Sequence, residues 1–155
     1  MAPRPVAGWM VRLQRIEVGT GDANIDHLVI GPGGVVTVNT KNLGGKVWVA
    51  PRALLHNGRK TNYLPKAARE AERAGALVGA ALGQQADVRG ALAIIADELV
   101  VEEQPADVFV ATPRGVKRWL LGLPLTFAPQ KVREVCSAAA KPSTWSTSGR
   151  RRDCR

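Results

Sequence analysis

The stretch Ile25-Asp26-His27-Leu28-Val29-Ile30-Gly31-Pro32-Gly33-Gly34-Val35-Val36-Thr37-Val38-Asn39-Thr40-Lys41 decides the reading of this chain. Two runs of aliphatic and β-branched residues flank Gly31-Pro32-Gly33-Gly34. Glycine tolerates positive φ and proline fixes it, so this is turn chemistry between two strands. A four-residue turn sets Ile30 opposite Val35, and counting outward brings Asp26 opposite Asn39. Side chains alternate along a strand, so Asn39 and Lys41 share one face and Asp26 joins them there. His27, Val29, Val36 and Val38 point to the other face. An acid, an amide and an ammonium thus converge at the open end of an otherwise apolar hairpin. A slip of one residue would reverse the assignment. A bare Asp–Lys pair at a sheet end would be an ordinary salt bridge of little energetic weight. Charged groups on the strands of an apolar sheet are costly to bury without a partner or a purpose.

Outward from the hairpin, Val11–Val18 reads as a preceding strand and residues 19–24 as a loop. Lys46–Val49, carrying Trp48, reads as a following strand, and residues 54–60 as a short hairpin about Asn57-Gly58. From Pro65 the period changes. Ala67, Ala71, Ala74, Leu77, Val78 and Leu82 recur at helical spacing, from a start at Pro65 to a stop near Gly83. Val88–Ala96 is a continuous apolar run of the kind buried on both faces, and Val108–Ala111 is another strand. Residues 114–121 and 129–140 read as closing helices. Strands, then a helix, then strands and helices predict an α/β domain with a mixed β-sheet flanked by helices. The expected organisation is a short segment 1–10, a domain over 11–140 and a basic tail over 141–155.

The chain has 155 residues and a formal charge of +9. That length buries one ordinary core. No apolar run reaches the roughly 18 residues of a membrane span, and residues 1–8 lack a continuous hydrophobic segment, so the reading expects no membrane partner and a cytoplasmic location. Two cysteines, Cys136 and Cys154, are too few for a disulfide scaffold, and no His/Cys set has zinc spacing. The charge is uneven. Residues 1–73 hold 11 basic and 5 acidic side chains, whereas residues 74–140 hold 6 and 7, and the tail holds 5 and 1. The basic half surrounds the hairpin, which points to a polyanion.

The phrase from Ile25 to Val35, followed by Asn39-Thr40-Lys41-Asn42, Gly45-Lys46-Val47-Trp48-Val49 and a helix carrying Arg69-Glu70-Ala71, resembles the nuclease-related NERD domain over roughly residues 11–112. That family belongs to the PD-(D/E)xK nuclease superfamily. The resemblance implies a restriction-endonuclease-like core, Mg²⁺ or Mn²⁺ as cofactor and nucleic acid, DNA foremost, as partner. It implies that Asp26 is the motif's first acid and a metal ligand. Asn39 would stand where the family has Asp or Glu, and Lys41 would be the lysine that positions the attacking water and steadies developing charge. Mg²⁺ prefers oxygen ligands, and a phosphodiester needs its anionic oxygens neutralised before water attacks. The sequence departs from the pattern in two places. Asn39 carries no formal charge. The helix with which the family domain opens, often bearing a Glu, has only residues 1–10 to form it, so a truncated member is expected.

Glu70, on the helix after the sheet, is a further candidate metal ligand; its alternative is an ordinary helical pair with Arg73. His27 is expected to be a packed histidine and His56 a solvated turn residue. Trp48 and Trp119 are expected in the core, Trp145 packed back on the last helix, and Cys136 a structural thiol. Three functions are expected from this sequence: a metal-dependent nuclease, a catalytically degenerate nucleic-acid-binding module of the same fold, or a protein-interaction domain. The oligomeric state is not legible.

Overall fold

A computed structural model describes the backbone of residues 11–17 and residues 24–146, with side chains from Ile25 onward. The expectations for the segment 1–10, the loop 19–23, and the tail past Ser146 with Cys154 lie outside the described residues. The elements run β1 (Val11–Glu17), β2 (Asn24–Gly31), β3 (Gly34–Asn42), β4 (Lys46–Ala50), β5 (Ala53–His56), β6 (Arg59–Lys60), α1 (Tyr63–Leu82), β7 (Val88–Ile95), β8 (Glu98–Val101), β9 (Val108–Ala111), α2 (Pro113–Leu121), α3 (Pro129–Ala140) and α4 (Pro142–Trp145).

Five strands form the main sheet in the order β1-β2-β3-β7-β9. β1, β2 and β3 are antiparallel neighbours, while β7 joins β3, and β9 joins β7, in parallel. The sheet is therefore mixed, as the alternation of strands and helices predicts. The β2–β3 register pairs Ile30 with Val35 and His27 with Val38, as expected, but Gly31 also pairs with Gly34, so the turn is Pro32-Gly33 rather than the four residues 31–34 and keeps the same register. The two faces separate as alternation demands. Leu28, Ile30 and Val35 pack with Ala74, Leu77 and Val78 of α1 and with Val132 and Val135 of α3. Val29, Val36, Val38, Ala91 and Ala93 pack on the other side against Val116 of α2. The parallel pair β3/β7 is covered on both faces, which accounts for the buried runs Val35–Val38 and Gly90–Ile94; Arg89 is exposed and breaks the run expected over Val88–Ala96. Stacking of Trp119 on Phe109, with centroids 4.5 Å apart, fixes α2 to β9. Trp145 is buried and donates its indole N–H to the Ala139 carbonyl at 2.8 Å, so it packs back on α3 as expected. Among the described residues no helix is long and apolar enough to cross a membrane.

Other points differ from the sequence reading as well. A second, four-stranded sheet of order β6-β5-β4-β8 stands beside the first. Its strand β8 has no expectation behind it, because Glu98-Leu99-Val100-Val101 is short and follows the β7 run almost without a break. α1 begins at Tyr63 rather than Pro65, which places the proline within the first turn, where its missing N–H costs nothing. His56 is half-buried at the end of β5, with its Nε2 3.1 Å from the Gly44 carbonyl oxygen, and is not a solvated turn residue.

The two sheets are one parallel strand pair interrupted by a bulge. β3/β7 ends at Asn42 opposite Ile95, and β4/β8 begins at Lys46 opposite Glu98. Leu43, Gly44 and Gly45 thus face only Ala96 and Asp97. An extra residue on one strand bends and twists it. Gly44 and Gly45 absorb the bend with φ of 66° and 62°, and the Asp97 carboxylate accepts from the Gly45 N–H at 2.9 Å. A Cβ at Gly45 would collide with the Asn57 side-chain amide, whereas one at Gly44 would meet open space. Gly45→Ala is expected to cost about 2 kcal/mol or more, about 4–8 °C in Tm, and Gly44→Ala about half of that. Thermal melts of the two variants check the order.

Candidate metal and phosphate site

Three elements bring the site together. β2 carries Asp26, the last residue before the paired run that begins at His27. β3 carries Asn39 and Lys41 near its C-terminal end, on the face that receives α1. α1 carries Glu70. The helix lies close over β7 because Gly90 has no side chain: a Cβ there would stand 3.2 Å from the Ala67 carbonyl oxygen. This close approach sets Glu70, one turn beyond Ala67, over β3.

The four side chains act on one another. Glu70 is half-buried, and loss of hydration pushes its carboxyl above the usual glutamate range. A hydrogen bond from the Asn39 side chain pulls it back, the Asp26 charge pushes it up again, and Lys66 and Lys41 pull it down. The charges that act on Glu70 are thus those of the hairpin and of Lys66, and the expected pair with Arg73 is not among them. The Asp26 carboxylate also accepts from the Thr40 N–H at 3.4 Å, which ties β2 to β3 where their ladder ends. The Asn39 Oδ1 is buried with no hydrogen-bond partner. A buried acceptor without a donor is costly unless something positive faces it.

One residue of the cluster is absent from the sequence reading. The Lys41 ammonium lies over the ring of Tyr63, 5.0 Å from its centroid. This cation–π contact restrains a long, flexible side chain at the mouth of the site. Tyr63 is the sole tyrosine of the chain, and it occupies the first position of α1. A start at Pro65 hides it, since it then reads as loop. His27 lies on the opposite face, half-buried beside Val29 and Val38, in agreement with the alternation.

The donor set suits a hard divalent cation. Asp26 and Glu70 offer carboxylates and Asn39 an amide oxygen, all of the type that Mg²⁺ and Mn²⁺ prefer. A half-buried Glu70 carboxyl pushed up partly by the Asp26 charge, beside an orphaned carbonyl oxygen, is an arrangement that a cation would relieve. Among the described residues no three His, Cys, Asp or Glu side chains group as metal holders. An Asp or Glu at position 39 would offer a third acid beside Asp26 and Glu70.

The raised Glu70 carboxyl gives a stability prediction with a definite sign. Glu70 holds its proton more tightly folded than unfolded. Its ionisation therefore costs stability as pH rises from the ordinary glutamate range through the raised value, and the cost is complete above it. In chelator at about pH 8, Glu70→Gln is expected to raise Tm by a few degrees, and the gain should vanish near pH 4. Added Mg²⁺ or Mn²⁺ should then stabilise the natural chain more than the variant. Melts at the two pH values, with and without cation, test both signs.

The sequence profile of the nuclease-related domain family (NERD) matches residues 9–95, more than half of the chain. The match ends with β7, short of the residue 112 suggested by the motifs. Comparison with curated proteins and with solved structures gave no match.

Proposed function

This chain belongs to the nuclease-related domain family, within the PD-(D/E)xK superfamily, and from that premise we propose that it hydrolyses phosphodiester bonds of nucleic acid, DNA foremost, with Mg²⁺ or Mn²⁺. The observation that carries this reading is the meeting of Asp26, Asn39, Glu70 and Lys41 on one face of the β2–β3 hairpin beneath α1. Its basic half supplies the attraction. An excess of six positive charges over residues 1–73 flanks this hairpin along the sequence, and cations that neutralise phosphates gain by releasing counterions.

Asp26, Asn39 and Glu70 would hold the cation through oxygen. When bound, it neutralises phosphate oxygens and makes the attacking water a better nucleophile. Lys41 supplies a compact positive charge at the rim of the site. An ammonium there donates hydrogen bonds to the phosphate oxygens or to the water, and its contribution grows as negative charge develops during attack. Tyr63 holds that ammonium in place. One P–O bond forms from the water as the opposite one breaks. The position of Glu70, with its lowered acidity, suits a ligand whose charge is fully expressed once a cation is near.

Incubation with supercoiled plasmid and Mg²⁺ or Mn²⁺ tests the proposal. Nicking that stops with chelator is expected. No nicking with either cation, alongside salt-sensitive binding that survives chelation, would favour the second reading: a binding module of the same fold, for which the neutral Asn39 is the specific argument.

A further inference from the structure

The small sheet separates charge across its width. At its β6 edge stand Arg59 and Lys60, both exposed, with the exposed Arg52 in the β4–β5 turn; Lys46, at the start of β4, is paired in register with Glu98. At its β8 edge stand Glu98, Glu102 and Glu103, also exposed. The two outer strands of the small sheet thus carry opposite charge.

The basic edge is rigid and is tethered to the site. The Asn57-Gly58 turn, with φ of 51° and 82°, closes the β5–β6 hairpin. The Asn57 N–H donates to the Lys46 carbonyl at 2.8 Å, and the Asn57 Oδ1 accepts from the Lys46 N–H at 2.9 Å. Thr61 donates both its N–H and its hydroxyl to the Leu54 carbonyl, each at 3.0 Å, where β6 leads into α1. Lys60 is only three residues before Tyr63, whose ring holds Lys41, so its Cα lies within about 11 Å of the Tyr63 Cα by chain reach alone. Lys46 is five residues past Lys41, across the glycine bulge. Both ends of the β4–β6 segment thus connect within five residues to the candidate site.

We propose that the β5–β6 hairpin is a nucleic-acid-binding wing, with Arg59 and Lys60 contacting backbone phosphates flanking the bond held at Asp26, Asn39, Glu70 and Lys41. The proposal rests on the phosphodiesterase reading and names a surface that extends it. The acidic β8 edge repels the same backbone, which fixes the direction in which the strand leaves the site. These contacts carry no base specificity, since they reach phosphate only.

The test is binding of a short fluorescein-labelled DNA duplex to the full chain in chelator, across a range of salt concentrations. Each phosphate contact contributes about 0.9 to the slope of log affinity against log salt. Arg59→Gln/Lys60→Gln should lower that slope by up to about 1.8. Arg133→Gln/Lys141→Gln removes the same charge from exposed positions at and just past α3 and should leave the slope within about 0.5 of the natural chain. Equal losses in the two variants, or an unchanged slope in the wing variant, would overturn the wing. Increased aggregation with an unchanged slope would show that the cations only guard an open strand edge, and would overturn it equally. If the natural chain shows no salt-dependent binding, the nucleic-acid reading fails together with the wing. If it binds and nicks while the wing variant matches it, the wing alone fails.

Discussion

Lys41→Ala is expected to slow cation-dependent plasmid nicking by about 10²–10³-fold, the usual effect of removing one preorganised donor aimed at developing charge. Duplex binding in chelator should weaken only slightly, because one phosphate contact among several is lost. The folded state should lose little: Lys41 is half-buried and its cation–π contact with Tyr63 contributes about 0.5–1 kcal/mol. The separation of these readouts is the point of the experiment. A structural lysine would lower Tm and activity together, whereas a charge needed during attack lowers the rate alone. Lys41→Arg should restore part of the rate, since the charge returns but the planar guanidinium does not fit a site built for a point charge. Nicking by Lys41→Ala at the natural rate would refute the assigned role.

Asn39→Asp should act in the opposite direction. It places a third carboxylate beside Asp26 and Glu70, where the natural chain has a neutral amide whose Oδ1 has no donor. Without cation the added charge repels its neighbours, so Tm should fall and Glu70 should hold its proton still more tightly. With cation the added charge becomes an advantage. Affinity for Mg²⁺ or Mn²⁺ should rise by about tenfold or more, roughly 1.4 kcal/mol, and the cation-induced gain in Tm should grow with it. Nicking at subsaturating cation should rise in proportion. Titration calorimetry and melts measure affinity independently of cleavage. Cleavage by Asn39→Asp alone would identify the natural chain as a binding module whose fold and remaining site groups are intact. A variant that binds cation no better would show that Asn39 does not face the cation.

The hairpin was legible because its physics is local. A Gly-Pro-Gly-Gly turn of fixed length sets the register, and alternation then assigns every face, so Asp26, Asn39 and Lys41 could be placed together before any tertiary contact was known. The helix over residues 67–82 and the doubly buried strand β7 were legible for the same reason, since each shows its environment in its period. The positions of Trp145 and Trp119 also followed from the apolar pattern around them.

Glu70 was visible only as one of two readings, because its sequence neighbour Arg73 offered an equally good helical partner. The depth at which α1 lies on Gly90, a contact between residues far apart in the chain, sets Glu70 where Asn39, Asp26 and Lys41 act on it. Tyr63 beside Lys41, His56 beneath Gly44, and the bulge that splits one strand pair into two sheets likewise depend on which segments meet. The sequence by itself determined the hairpin, its register and the residue types offered at its open end. Only the tertiary structure brings a helix acid to that open end and an aromatic ring against its lysine. The physical reason is range: turn geometry and side-chain alternation act over a few residues, whereas burial and charge act between segments that only the packed fold brings together.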